Sequence, residues 1–179
     1  MQKLKNDELN RLSPEAFKNA EKTPIVLVLD NIRSLHNVGS AFRTADAFLI
    51  EKIYLCGVTG TPPNKEIEKT ALGATNSVEW VYVKNTMDAI NELRANNYKV
   101  YSIEQADKSV KLHVFETDRS KPLALVFGNE VYGVDQEIVD VSDAVVEIPQ
   151  LGTKHSLNVS VSLGIVLWEL MKGRMPYDK

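Results

Sequence analysis

The chain has 179 residues, of which 44% are hydrophobic and 25% charged, with a net charge of −3. That composition suits one globular domain and excludes a disordered tail, a collagen-like fibre or a low-complexity scaffold. The charge balance does not point to nucleic acid and does not exclude it, because local patches set phosphate binding. Cys56 is the only cysteine, so neither an intramolecular disulfide nor a cysteine zinc cluster can form, and the three histidines show no metal-ligand spacing. The first ten residues lack the apolar stretch of a secretory leader. The longest uncharged run, between Lys154 and Glu169, is shorter than the roughly 20 residues that span a bilayer. A cytoplasmic protein without a membrane segment is expected.

Residues 1–23 are polar and charged. Ser13-Pro14-Glu15 reads as a helix start, with proline at the first helical position. Leu9, Leu12, Ala16 and Phe17 are its candidate apolar face. This segment is expected to be an N-terminal helical arm, with residues 24–179 as the main domain. Ile25–Leu29 is a continuous apolar run, the pattern of a strand covered on both faces. Asn37–Leu49 follows with helical periodicity, and Asn37 is its candidate N-cap. Lys52–Leu55 reads as strand, Lys65–Leu72 as helix, and Trp80–Val83 as strand. Thr86 is the candidate cap of a helix over Met87–Asn96. Val100–Ile103 and Leu123–Phe127 are two more buried strands. Asp135–Val141 is a short helix, Ala144–Ile148 the last strand, and Asn158–Lys172 a closing helix. Strands alternating with helices predict a parallel sheet flanked by helices. In such folds ligands bind beyond the carboxyl ends of the strands.

Three post-strand loops hold the candidate chemistry. The first runs from Asp30 to Arg43. Its helix N-terminus suits an anion, and Arg33 and Arg43 can add charge-assisted bonds, although Arg43, off the apolar stripe, is by itself more readily a solvated surface charge. The second, Gly128-Asn129-Glu130-Val131-Tyr132-Gly133, brackets a carboxylate between glycines. It reads either as a close approach to a ligand or as an ordinary turn. The third, Pro149 to Asn158, leads into a helix that is apolar nearly all round, the mark of an internal position or a subunit interface. His36 and His155 are more readily structural than catalytic. No P-loop, dinucleotide fingerprint or nucleophile elbow occurs.

Taken together, Asn37-x-Gly-x-x-x-Arg43, Phe127-Gly128-Asn129-Glu130, and Ile148-Pro149 with Ser156-Leu157-Asn158-Val159-Ser160 resemble the three motifs of the SpoU (TrmH-like) RNA 2′-O-ribose methyltransferases. Lys69-Thr70-Ala71-Leu72-Gly73-Ala74 is similar to a fourth segment of that family, and the likeness spans residues 24–172. It implies a SPOUT-type α/β fold with a deep C-terminal trefoil knot. It also implies a homodimer with the active site near the subunit interface, and S-adenosylmethionine as cofactor. The substrate implied is RNA, with tRNA favoured over rRNA, and no metal is required. Arg43 matches the catalytic arginine, and Asn37, Glu130, Ser156 and Asn158 the polar residues around the reacting centre. Gly128, Ile148 and Leu157 match cofactor contacts, with Ile103 and Glu104 expected to line the same pocket. A guanidinium stays protonated at ordinary pH. Arg43 is therefore expected to stabilise a developing 2′-oxyanion or to grip the adjacent phosphate, and Glu130 to position Arg43 or a substrate amine. An rRNA methyltransferase, a non-catalytic RNA- or cofactor-binding relative, and an unrelated nucleotide-binding α/β enzyme remain the alternatives.

Overall fold

A computed structural model describes residues 1–118 and 120–172. Seven parallel strands form one sheet: β1 (Thr23–Asp30), β2 (Ile50–Cys56), β3 (Glu79–Val83), β4 (Lys99–Ile103), β5 (Val110–Lys111), β6 (Leu123–Phe127) and β7 (Ala144–Glu147). Their order is β3-β2-β1-β6-β4-β7-β5. Among the described residues six α-helices accompany them: α1 (Pro14–Asn19), α2 (Leu35–Ala47), α3 (Lys65–Ala71), α4 (Thr86–Ala95), α5 (Gln136–Val141) and α6 (Val159–Met171).

The apolar runs read as buried strands serve two cores, because successive side chains of a strand point to opposite faces. Ile25, Leu27 and Leu29 of β1 join Leu123, Leu125 and Phe127 of β6 against Val38, Ala41 and Phe42 of α2 and Leu163, Val166 and Leu167 of α6. Val26, Val28, Ala124 and Val126 face the other way, against Ala89, Ile90 and Leu93 of α4 and Ile138 of α5. Cys56, at the end of β2, is fully buried in this second core. Burial, with the Asp30 carboxylate nearby, pushes its thiol up to about 12. Among the described residues no helix is long and apolar enough to cross a membrane.

Several local expectations are corrected. The cap of α2 is Ser34, whose Oγ accepts from the Asn37 N–H at 3.3 Å, so Asn37 lies inside the helix with its side chain free for other bonds. Asn85 caps α4; Thr86 is the first helical residue, and its hydroxyl turns inward to Asp30. Among the described residues of the arm only Phe17 is buried, while Leu9, Leu12 and Ala16 stay in water. A 3-10 turn over Asn6–Leu9 stands apart from α1. Lys22 anchors α1 by donating to the Phe17 carbonyl and lying over the Phe17 ring at 4.7 Å. The two-residue β5 was not expected.

Strand order places the site. From β1 the chain runs outward to β2 and β3, then crosses to β4 on the other side, and β6 later inserts between β1 and β4. Loops leaving β1 and β6 therefore diverge from adjacent strand ends, the geometry that opens a crevice. The register aligns those ends: Leu29 pairs with Phe127, Phe127 with Ile103, and Ile103 with Val146. Asp30, Gly128, Glu104 and Glu147 thus follow on one row along the carboxyl edge.

Candidate active site

Glu104, Gly128 and Glu147 of that row line a cavity of about 460 Å³. Ile103, Glu104, Gly128, Glu130, Ile148, Ser156, Leu157 and Asn158 all line it, so eight of the ten residues expected from sequence meet there. Asn37 joins them by hydrogen bonding. Arg43 is exposed, is not among the lining residues, and makes no hydrogen bond or ion pair among the described residues. It stands six residues beyond Asn37 on α2, about 9 Å along the axis at ~1.5 Å per residue.

Glu130 joins the loops. Its Oε2 accepts from the Arg33 N–H at 3.0 Å, and its Oε1 from the Ser34 N–H at 3.0 Å and the Asn37 amide at 2.9 Å. Partial burial works to raise its pKa, but these donors outweigh it and hold the carboxyl below the usual range. Glu130 thus positions the start of α2 and makes no bond to Arg43. The chain continues through Asn37, whose Oδ1 accepts from the Asn158 amide at 3.1 Å. Asn158 caps α6, its Oδ1 accepting from the Ser160 N–H at 2.9 Å and the Ser160 hydroxyl at 2.6 Å. One relay, Glu130–Asn37–Asn158, therefore links all three loops.

A second network lies beneath it, and sequence spacing carried no sign of it. Asn31, with φ 57°, donates from its amide to Asp30 at 3.0 Å and Asp135 at 3.3 Å, and its Oδ1 accepts from the Val58 N–H at 3.2 Å. Its carbonyl accepts from the Asn129 amide at 2.7 Å. Asp30 is fully buried, accepting from the Thr86 hydroxyl at 2.6 Å and the Asp135 N–H at 3.1 Å. Burial pushes its carboxyl above the usual range, the hydrogen bonds opposing this in part. An acid and an asparagine directly after an apolar strand were the available signal.

The loop after β6 is built for close approach. A Cβ on Gly128 would lie 2.1 Å from the Gly133 carbonyl carbon. Gly133 has φ 73°, and a Cβ there would meet Glu104 Oε2 at 2.1 Å. Glycine at 133 thus lets Glu104 accept from the Val134 N–H at 3.1 Å and face the cavity. The lining has apolar walls (Ile103, Phe127, Ile148, Leu157), three glutamates (Glu104, Glu130, Glu147), and no lysine or arginine among the described residues. Such a set fits a ligand with a flat apolar ring and a cationic end.

Fold and crevice together define an α/β protein whose candidate site lies at a topological switch point of a parallel sheet. The particular family follows from comparison: the SpoU rRNA Methylase family matches residues 24–168, and the chain belongs to it. Similar to it is a tRNA (guanosine(18)-2′-O)-methyltransferase of Thermus thermophilus, 29% identical over 178 residues, covering 96% of this chain and 88% of that one. A 23S rRNA (guanosine-2′-O-)-methyltransferase RlmB of Neisseria meningitidis is 31% identical over 161 residues, covering 90% of this chain. The chain spans 63% and 65% of the length of the two RlmB relatives from Neisseria meningitidis and Pseudomonas aeruginosa. Among solved structures, an AdoMet-bound rRNA methyltransferase from Sinorhizobium meliloti matches with a TM-score of 0.80 at 30% identity, covering 92% of this chain and 62% of that one. The TrmH/SpoU tRNA modifying enzyme of A. aeolicus matches at 0.78 and 31%, covering 90% and 80%.

Proposed function

We propose that the chain is an S-adenosylmethionine-dependent RNA 2′-O-ribose methyltransferase, with tRNA favoured over rRNA. The observation that carries this is the Glu130–Asn37–Asn158 relay at the mouth of a cavity with apolar walls and a carboxylate edge. Family membership and relatives named as 2′-O-methyltransferases of both RNA classes support it. The cavity fits the cofactor: Ile103, Ile148 and Leu157 suit an adenine, Gly128 admits it to the backbone, and Glu104 suits a cationic end.

When bound, the cofactor supplies a methyl group on a sulfonium. The remaining work belongs to the chain. Ser156 and Asn158 orient the ribose, and Glu130 holds Asn37 and the start of α2 in register with them. Arg43, off the cavity wall, reaches the substrate from the α2 side; it stabilises the developing 2′-oxyanion and grips the neighbouring phosphate, which takes the proton. Residues 1–23 form an N-terminal arm ahead of the methyltransferase domain, a boundary supported by the family match beginning at residue 24. The reading carries with it the C-terminal trefoil knot, a cytoplasmic site of action and a homodimer. The dimer is supported by α6, where Val161, Ile165 and Trp168 are 50%, 39% and 57% exposed on one face.

The test is methyl transfer from labelled S-adenosylmethionine to separate pools of unmodified tRNA and rRNA, with Arg43→Ala alongside. Label in one pool, reduced at least a hundredfold in the variant with S-adenosylhomocysteine affinity unchanged, is expected. An unchanged rate in the variant removes Arg43 from the mechanism, and no label in either pool refutes the activity.

A further inference from the structure

Tyr132 stands on the rim of the cavity and is 82% exposed. Single exposed apolar side chains are ordinary on protein surfaces, so exposure by itself assigns nothing. Three other observations distinguish this ring.

Its backbone is pinned. Asn129 Oδ1 accepts from the Val131 N–H at 2.9 Å and the Tyr132 N–H at 3.2 Å, and the Gly133 N–H donates to the Asn129 carbonyl at 2.9 Å. The Asn129 amide donates to the Asn31 carbonyl at 2.7 Å, fastening the loop to the end of β1. A Cβ on Gly128 would run into the Gly133 and Val134 backbone, and Gly133 holds a φ of 73° that side chains disfavour. A large aromatic side chain is thus held in water by a loop with little freedom to move.

The ring is also unspent. Among the described residues the Tyr132 hydroxyl makes no hydrogen bond, and no aromatic neighbour stacks on the ring. Finally, the cavity lining offers a phosphate no lysine or arginine among the described residues, and presents Glu104, Glu130 and Glu147. At this rim an RNA is held by something other than charge pairing, and a neutral π-face is the chemistry on offer.

We propose that Tyr132 is a stacking platform for the nucleobase of the RNA residue whose ribose enters the site. The proposal rests on the RNA-methyltransferase reading and adds a substrate-positioning residue to it. A 2′-hydroxyl brought in line with a methyl donor at the floor of a cavity requires its nucleotide to leave the helical stack, and an unstacked base loses stacking energy. An aromatic face restores much of it, tolerantly of sequence, because every base has a π-face. Tyr132 is two residues from Glu130, which reaches Asn158 through Asn37, so one rigid loop carries both the ribose-side carboxylate and the base-side ring.

The experiment compares wild type with Tyr132→Ala, Tyr132→Phe and Tyr132→Trp on the unmodified tRNA and rRNA pools. The readouts are RNA KM and kcat, S-adenosylhomocysteine affinity, and solution mass. Stacking lost equally from bound substrate and transition state raises KM and spares kcat. We expect Tyr132→Ala to raise RNA KM by about ten- to a hundredfold, the scale of one base–aromatic contact. Homocysteine-product affinity and mass should be unchanged, which also shows the variant to be folded, and Phe or Trp should restore the KM. An unchanged KM overturns the proposal. So does a parallel fall in S-adenosylhomocysteine affinity, which would assign the ring to the cofactor, or a changed mass, which would assign it to a subunit contact. Filter binding of the same RNAs separates the two readings. Wild type that transfers no methyl, yet binds RNA more tightly than Tyr132→Ala, refutes the activity and keeps the ring. Equal binding by both refutes the ring.

Discussion

The carboxyl of Glu130 is the residue on which the three loops turn, and it titrates accordingly. Its folded pKa lies below its unfolded value, about 4.3 for a free glutamate, because three donors favour the charged form. The stability it supplies is complete above the unfolded value and is lost as pH falls through the folded one. Urea midpoints measured from pH 6 to pH 3 should therefore fall more steeply in wild type than in Glu130→Gln; parallel curves would show that the clamp is not ionic. Asp30 makes the opposite case, a buried acid kept for its acceptors. Asp30→Ala leaves the Thr86 hydroxyl and the Asp135 N–H without that partner, and a stranded buried donor costs roughly 1–3 kcal/mol. A loss of about 2 kcal/mol in urea unfolding is expected. These two residues also mark the limit of the sequence reading. Glu130, Asn37 and Asn158 were legible because each sits in a spaced motif. Asp30 and Asn31 were not, and Asn129 stood in a motif that did not show its partner, because the Asn31–Asn129 bond joins residues far apart along the chain. Only the strand order brings them together.

Among the elements, α2 and α3 are packed with little tolerance. A Cβ on Gly39 would lie 2.2 Å from the Ile67 carbonyl oxygen and from Thr70 Oγ1. Backbone cannot retreat as a flexible side chain can, so Gly39→Ala should destabilise the chain by about 1–3 kcal/mol through overpacking, despite alanine's better helix propensity. Thermal unfolding checks this; a stabilised variant would show that the helices separate freely. Periodicity found these helices and the buried strands to within a few residues. Their starts were harder to read, since Ser34 rather than Asn37, and Asn85 rather than Thr86, cap α2 and α4. In both cases two polar residues stood near the boundary, and tertiary contacts decided between them: Asn37 is drawn to Glu130 and Thr86 to Asp30. Strand β5 has two residues and no periodicity to detect.

At the scale of the whole molecule, α6 carries the clearest consequence of composition. Leu163, Val166 and Leu167 are buried against the sheet, while Val161, Ile165 and Trp168 face outward. The all-round apolar pattern read from sequence thus resolves into one covered face and one open face. If the open face is the dimer contact, Trp168→Glu should yield a monomer by light scattering while leaving the fold intact, and an unchanged mass would place the contact elsewhere. The sheet order itself was not legible, because nothing local in Leu123–Phe127 says that it inserts between β1 and β4. The same arrangement leaves Cys56 sealed at the end of β2, its backbone carbonyl bonded to the Asn31 N–H at 3.3 Å. A lone thiol so placed is an internal clock. Alkylating reagents reach it only when the ends of β1 and β2 part, so its labelling rate in native buffer times the opening of the core beneath them.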